Sequence, residues 1–261
     1  MKAIILSAGR GTRLSKYVKD CPKGMLKFDN TTIIKRQIDI FRECGIDKII
    51  VVRGYMAETI NYDDVKYYNN QFFATTNMVE SLFCAEQEFS DDLIISYADI
   101  MYEKKLLMDL MEDKNDISVT VDLDWKKYWK IRYGTTNNDI ESLKLNQDGF
   151  IVELGNDNVS VEDIDARYVG LLKFSKEALL RCTDFYHRNK LLYGEKPWKG
   201  GRVFEQAYMT DFMQALIDSG ERVNACKTNG GWIEFDTNED YELLTMMAQK
   251  NTLKQLINLE K

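Results

Sequence analysis

The chain alternates short, wholly apolar runs with stretches whose apolar residues recur every three or four positions. KAIILSA, just after Met1, predicts a strand buried on both faces. TIIKRQIDIFRECG predicts an amphipathic helix closed by Gly45. DKIIVVRGY predicts a second strand, VKYYNN a short third, and NMVESLFCAEQEF a helix with Met78, Leu82, Phe83 and Ala85 near one face. DLIISYADIMY predicts one further buried strand that ends in polar residues. Strand, helix, strand in this order implies a mostly parallel, doubly wound sheet.

From about Asp116 the texture changes. ISVTVDLD, ESLKL, FIVEL and RYVGLLKFS are strand-like runs joined by Asn, Asp and Gly turns, which predicts antiparallel strands added to the sheet. SKEALLRCTDFYHRN and MTDFMQALIDSG predict helices, the second with Thr210 as N-cap and Gly220 as its stop. RVNACK and GWIEFD predict the last strands, before a terminal helix from about Asn238. The stretches Asp124 to Asp139 and Tyr193 to Gly201 are the most irregular. The expected architecture is a single α/β domain over 1–261, with a nucleotide-binding half (1–115) and an acceptor-binding half (116–261).

Composition narrows the function. With 261 residues, 44% hydrophobic and 30% charged, the chain suits one α/β domain of generous size. A net charge of -7 and the lack of a basic run argue against nucleic acid as partner. Five cysteines lie scattered with no C-x-x-C pair, as expected of reduced thiols in a cytoplasmic protein. The apolar run after Lys2 is too short for a signal peptide or a membrane span, so no membrane association is expected. One histidine, His187, excludes a multi-histidine metal site and falls in an exposed helical pattern.

The candidate chemistry begins where KAIILSA runs into Ala8-Gly9-Arg10-Gly11-Thr12-Arg13. Successive backbone N–H groups at the carboxyl end of a parallel strand can cradle phosphate oxygens, and glycines let the anion come close. Arg13 and Lys23 supply charge that a triphosphate needs, and Pro22 fixes the direction of Lys23. A dinucleotide fingerprint wants a third glycine where Arg13 stands, and a Walker A loop wants Gly-Lys-Ser/Thr, which is absent. A purely structural turn is the remaining alternative. Further on, Asp99 ends an apolar strand, while Glu234 and Asp236 alternate with Ile233 and Phe235 on one strand face. Together these carboxylates would suit a hard cation that also takes phosphate oxygens. Their bland alternative is a helix cap and a solvated strand face.

The run A-G-x-G-T-R-L, followed by P-K, resembles the signature of nucleotidylyltransferases acting on sugar 1-phosphates and phosphocholine. TTNMVESLFCA, ISYADIMY, RYVGLLKFS, MTDFMQALIDSG and GGWIEFDTNEDYELL extend the resemblance to the phosphocholine cytidylyltransferase-like branch over nearly the whole chain. The resemblance implies a Rossmann-like fold and a cytidylyltransferase that joins CMP from CTP to a small phosphorylated amino compound in surface polysaccharide decoration. Leu6, Ala8, Gly9, Arg10, Gly11 and Thr12 would wrap the nucleotide, with Arg13 and Lys23 on the triphosphate. Asn77 and Ser81 would lie near cytosine and ribose. Asp99, Glu234 and Asp236 would hold Mg²⁺. A dimer is compatible with all of this.

The branch usually has Pro at the Lys16 position and Gly at the Ala98 position; Lys16 would add a loop cation. Sugar-specific members carry E-K-P where this chain has Glu153-Leu154-Gly155, which counts against a sugar 1-phosphate. Keeping Arg13, Lys23, Asp99 and Asp236 counts against a non-catalytic nucleotide sensor. Phosphocholine-type enzymes enclose a trimethylammonium in aromatic rings. Here the aromatic segment Asp122 to Tyr133 also carries three lysines and Arg132, so Trp129, Lys130 and Arg132 would suit a zwitterionic acceptor. A helix that packs Trp125 and Trp129 into the core is the alternative.

Overall fold

A computed structural model describes residues 1–194 and 196–259. The first six residues of the apolar opening run form β1 (Lys2–Ser7), every side chain buried. The chain then makes a small ribbon, β2 (Lys27–Phe28) with β3 (Thr31–Thr32), and enters helix α1 (Ile33–Glu43), whose N-cap Thr32 accepts the Lys35 N–H. Strands β4 (Ile49–Arg53) and β5 (Val65–Asn69) follow, then helix α2 (Met78–Phe83), β6 (Leu93–Tyr97) and β7 (Ile100–Tyr102).

The second half contributes α3 (Lys104–Glu112), β8 (Ile117–Asp122), α4 (Trp125–Tyr133), β9 (Leu143–Leu145), β10 (Phe150–Leu154) and β11 (Arg167–Phe174). The last elements are α5 (Lys176–Tyr193), α6 (Met209–Asp218), β12 (Val223–Thr228), β13 (Trp232–Glu234) and α7 (Asn238–Gln249).

Nine strands form one sheet in the order β5-β4-β1-β6-β11-β8-β12-β10-β9. β1 pairs in parallel with β4 on one side and β6 on the other, so the winding reverses there. A crevice at the carboxyl ends of such strands is where open α/β sheets take ligands. β11 enters from the second half and runs antiparallel to both β6 and β8, which brings its first residue, Arg167, to that same edge. Successive residues of β1 point to opposite faces. Ala3 and Ile5 join one core with α1, α3, α4 and α7, while Ile4 and Leu6 join the other with α2, α5 and α6.

The architecture is the mixed α/β sheet expected, with several local corrections. DLIISYADIMY is not one strand: β6 stops at Tyr97, and β7 leaves the large sheet to pair antiparallel with β13. The break turns Ala98 and Asp99 into a loop over the crevice. β8, expected among the added antiparallel strands, runs parallel to β12. The supposedly irregular stretch from Asp124 starts as α4, because Trp125, Tyr128 and Trp129 share a face and bury it. Tyr208, not Thr210, is the N-cap of α6: the Asp211 carboxylate accepts the Tyr208 N–H at 3.0 Å and starts the helix earlier. Within Tyr193 to Gly201, Glu195 lies outside the described residues; Trp198 donates its indole N–H to Asn189 at 3.2 Å.

At the amino end of the sheet, Glu88 accepts from Lys2 at 2.8 Å, from Tyr68 at 2.6 Å and from Lys66. Burial alone would raise this carboxyl, but its three donors outweigh that and hold it at about 2. A folded value below the unfolded one gives stability that is present above pH 4.5 and lost as pH falls toward 2. Glu88→Gln is therefore expected to cost on the order of 2 kcal/mol near neutrality. Urea unfolding of both proteins across the acid range checks it: the gap should close below pH 4.5, and a pH-independent gap would refute the assignment.

Gly170 sits where the β11–β8 register shifts, at φ +87°, and a Cβ there would lie 2.8 Å from Cδ2 of Tyr97. Gly170→Ala should destabilise by about 2–4 kcal/mol, since left-handed strain and overpacking add. A midpoint in denaturant that does not move would show that the bulge relaxes freely.

Candidate active site

The loop after β1 lies over the crevice. Ala98 N–H donates to the Leu6 carbonyl at 3.2 Å, and Tyr55 N–H to the Ala8 carbonyl at 2.9 Å, so the loop's base is tied to two neighbouring strands. Gly11 turns the chain at φ 64° and packs against Lys23, whose Cβ would be 3.0 Å from a Cβ at that position. A Cβ at Gly9 would meet nothing within 4 Å, and Gly9 itself lines the crevice. Leu6, Ser7, Gly9, Gly11, Thr12 and Arg13 form one wall of a cavity of about 270 Å³. Tyr97, Ala98, Asp99, Asp236, Lys23 and Met78 form the others.

The charges converge from distant parts of the chain. Lys23 Nζ donates to Asp99 Oδ2 at 2.8 Å and to Asp236 Oδ1 at 2.7 Å. Arg13, itself largely exposed, pairs with the other oxygen of Asp236 at 2.7 Å. Burial of Lys23 disfavours its charge, yet the two carboxylates more than compensate and raise its pKa. Burial likewise pushes Asp236 up, but Lys23 and Arg13 bring it below the ordinary carboxylate value.

β13 ends at Glu234, so strand alternation cannot place Asp236. That residue is set instead by the N-terminus of α7, where the Asp240 carboxylate accepts the N–H groups of Asp236 (3.1 Å) and Thr237 (2.8 Å). Asp240 is in turn gripped by Arg132, through Nε at 2.5 Å and Nη2 at 2.6 Å, and Nη1 of Arg132 pairs with Glu234. The Arg132 side chain is 1% exposed. Burial drives the Glu234 carboxyl up despite Arg132. Glu234 thus faces Arg132 rather than the Lys23 bridge.

The remaining expected residues fall in different places. Asn77 caps α2 by accepting the Met78 N–H at 2.9 Å, and its side-chain amide donates to Gln206 at 3.4 Å. Ser81 is buried, its hydroxyl accepting from Asn70 and donating to the Asn77 carbonyl. The cavity wall on this side is Met78. Arg10 lies over the rings of Tyr55 and Phe73, 5.6 Å from each. Lys16 pairs with Glu242 at 2.5 Å, away from the cavity walls named above. Trp129 is wholly buried and Lys130 is exposed. His187 pairs with Glu86 on the surface.

Among the described residues no three His, Cys, Asp or Glu side chains come close enough to hold a metal. The pair Asp99 and Asp236 nevertheless suits a magnesium ion: two carboxylates from different elements already share one cation, and Mg²⁺ commonly takes one or two carboxylates plus substrate phosphates. Sequence reasoning missed Tyr97, Met78 and the Arg132–Asp240 pair. Only Asp240 left a trace, as the third residue after Thr237 in a capping box.

Residues 3–132 match the model of the MobA-like NTP transferase domain. Over 256 residues the chain is 37% identical to a CTP:phosphoglutamine cytidylyltransferase of Campylobacter jejuni, covering 93% of this chain and 98% of that protein. A choline-phosphate cytidylyltransferase of Streptococcus pneumoniae is 32% identical over 114 residues, 42% of this chain and 50% of that protein. The solved CTP:phosphocholine cytidylyltransferase from Streptococcus pneumoniae superposes with a TM-score of 0.71 at 20% identity, covering 95% and 98% of the two chains, which shows a shared fold.

Removing Arg132 would leave Asp240 buried and uncompensated. Arg132→Met is expected to cost about 3–5 kcal/mol in folding, as for other broken buried pairs. Chemical denaturation checks this, and an unchanged stability would mean that Arg132 serves a ligand alone.

Proposed function

The chain belongs to the nucleotidyltransferase family, in its phosphocholine cytidylyltransferase-like branch, and we propose that it transfers CMP from CTP to a small phosphorylated amino compound. The carrying observation is the Lys23 bridge between Asp99 and Asp236 beneath a glycine loop at the carboxyl ends of β1 and β6. An acceptor phosphate oxygen attacks the α-phosphorus in line; the bond to the bridging oxygen breaks, and pyrophosphate leaves with that electron pair. The acceptor is already ionised, so no general base is required.

The protein's part is positioning and charge. Backbone N–H groups of the Gly9–Thr12 loop orient the phosphates, while Arg13 and Lys23 neutralise charge that grows on the leaving group. Asp99 and Asp236 are the residues that would hold Mg²⁺, which when bound supplies further neutralisation of phosphate charge. Asn77, which caps the helix beside the cavity-wall residue Met78, and Ser81 one turn on are the residues that would lie near cytosine and ribose. The relatives named for phosphoglutamine and choline phosphate support an acceptor that carries a phosphate and a cationic nitrogen; we place its use in surface polysaccharide decoration and the enzyme in the cytoplasm. No helix among the described residues is long and apolar enough to cross a membrane.

Pyrophosphate release with each of the four nucleoside triphosphates, Mg²⁺ and a panel of phosphorylated acceptors tests the reaction. CTP is expected to be preferred, and equal or better turnover with a purine nucleotide would overturn the base assignment. Asp99→Asn and Asp236→Asn should each fold and lose roughly 10²-fold or more in turnover. The double variant should lose little beyond the worse single, because the two act as a unit. Wild-type turnover and metal dependence in Asp99→Asn would remove that residue from the site.

A further inference from the structure

The segment that carries Thr12 and Arg13 into the cavity wall has little regular structure of its own. After Gly11 it forms the short 3₁₀ turn Thr12–Leu14 and plugs Leu14 and Val18 into the core. Its backbone bonds from Tyr17 and Val18 to the Leu14 carbonyl close the turn on itself. Its polar side is held by a face of α7. Asn238, Tyr241 and Glu242 recur at spacings of three and four residues, so they share that face. Asn238 Oδ1 accepts the Lys16 N–H at 3.1 Å. One oxygen of Glu242, Oε1, accepts from Lys16 Nζ at 2.5 Å and from the Tyr17 hydroxyl at 2.8 Å. The Tyr17 and Tyr241 ring centres lie 4.4 Å apart.

Among the described residues, the other polar contacts of residues 11–19 with the rest of the chain are the Arg13–Asp236 pair and a 3.4 Å bond from Tyr55 to the Lys19 carbonyl. Asp236 precedes Asn238 at the approach to α7. The loop wall and the Asp236 wall of the cavity are therefore mounted on one helix end, which Arg132 holds through Asp240. Lys16 and Glu242 are 62% and 49% exposed, so their pair contributes little to folding. Its effect falls on where the loop stands.

We propose that Glu242 is a positioning residue for the nucleotide: through Lys16 and Tyr17 it latches the glycine loop to α7 and so presets Arg13 for the triphosphate. This rests on the nucleotidyl-transfer reading above and adds the group that orders its loop. Arg13 is 65% exposed, and its partner Asp236 is shared with Lys23. A triphosphate that draws Arg13 away from Asp236 leaves the Lys16 and Tyr17 contacts as the loop's hold on α7. A loop ordered before the nucleotide arrives loses less conformational freedom on binding.

The test uses the full chain, CTP with Mg²⁺ as titrant, and trypsin, which cuts after Arg13, Lys16 and Lys19 when the loop is loose. Glu242→Ala should keep its unfolding midpoint and weaken CTP roughly 3- to 10-fold in calorimetric titration. Lys16→Met should weaken CTP roughly two- to fivefold. The double variant should bind about as the worse single, because both act through one contact. Lys16→Glu should also weaken CTP, and adding Glu242→Lys should recover most of that loss, which a general disturbance of α7 would not. Turnover at saturating CTP and KM for the phosphorylated acceptor should stay within about twofold. Without nucleotide, cleavage between Arg13 and Lys19 should be faster in Glu242→Ala than in wild type. Unchanged CTP affinity in a folded Glu242→Ala would overturn the proposal, as would equal cleavage of the two proteins or a charge swap that recovers nothing. A wild type that binds no nucleotide would overturn the transfer reading instead, and the cleavage assay, run without nucleotide, still reads the latch.

Discussion

One ammonium group organises the crevice at the carboxyl ends of β1 and β6. Lys23 comes from the loop after β1, Asp99 from the break between β6 and β7, and Asp236 from the approach to α7; a single Nζ within 2.8 Å of both carboxylates ties them together. Without a cation between them, two partly buried carboxylates would repel across a low-dielectric gap. Gly11 turns against the Lys23 stem, Pro22 sets its backbone, and Gly24 meets Ile34 so closely that a Cβ there would lie 2.7 Å away. The glycine loop proposed to face the phosphates therefore packs against the lysine proposed to neutralise them.

A second layer of charge keeps that arrangement in place. Arg132 is buried beneath it and holds Asp240, whose carboxylate holds the backbone of Asp236 and Thr237. The network is expensive to desolvate, and it is complete: the guanidinium donates from all three nitrogens, to Asp240 and Glu234. Arg167 also packs on Trp129, 4.6 Å from its ring centre, with far looser partners. Two arginines of similar burial thus divide the work. One fixes the scaffold, and the other is held by ion pairs of 3.6 and 3.9 Å.

The apolar runs KAIILSA and DKIIVVRGY were legible as strands because six consecutive buried side chains, or five nearly so, leave no amphipathic alternative. α1 was legible from its 3.6-residue spacing, its Thr32 cap and the Gly45 stop. α3 lies outside the helices expected from the sequence, although Leu106, Leu107 and Leu110 carry the same spacing in nine residues, and α4 is masked by its lysines. The break at Ala98–Asp99 was illegible, because apolar residues continue on both sides of it. What bends the chain there is the partner β13, more than a hundred residues away.

The sequence by itself determined the sheet-and-helix class, the glycine loop at the end of β1, and the inventory of charges that could meet a triphosphate. These depend on local spacing and on backbone freedom, which neighbouring residues dictate. Only the tertiary structure decided which charges meet. Asp99 and Asp236 converge on Lys23 whereas Glu234 turns to Arg132, and Arg167 reaches the site edge because β11 inserts antiparallel between β6 and β8. Ion pairs across such sequence distances are set by strand order and by the cost of burying a charge alone, and neither is written in any short stretch of the chain.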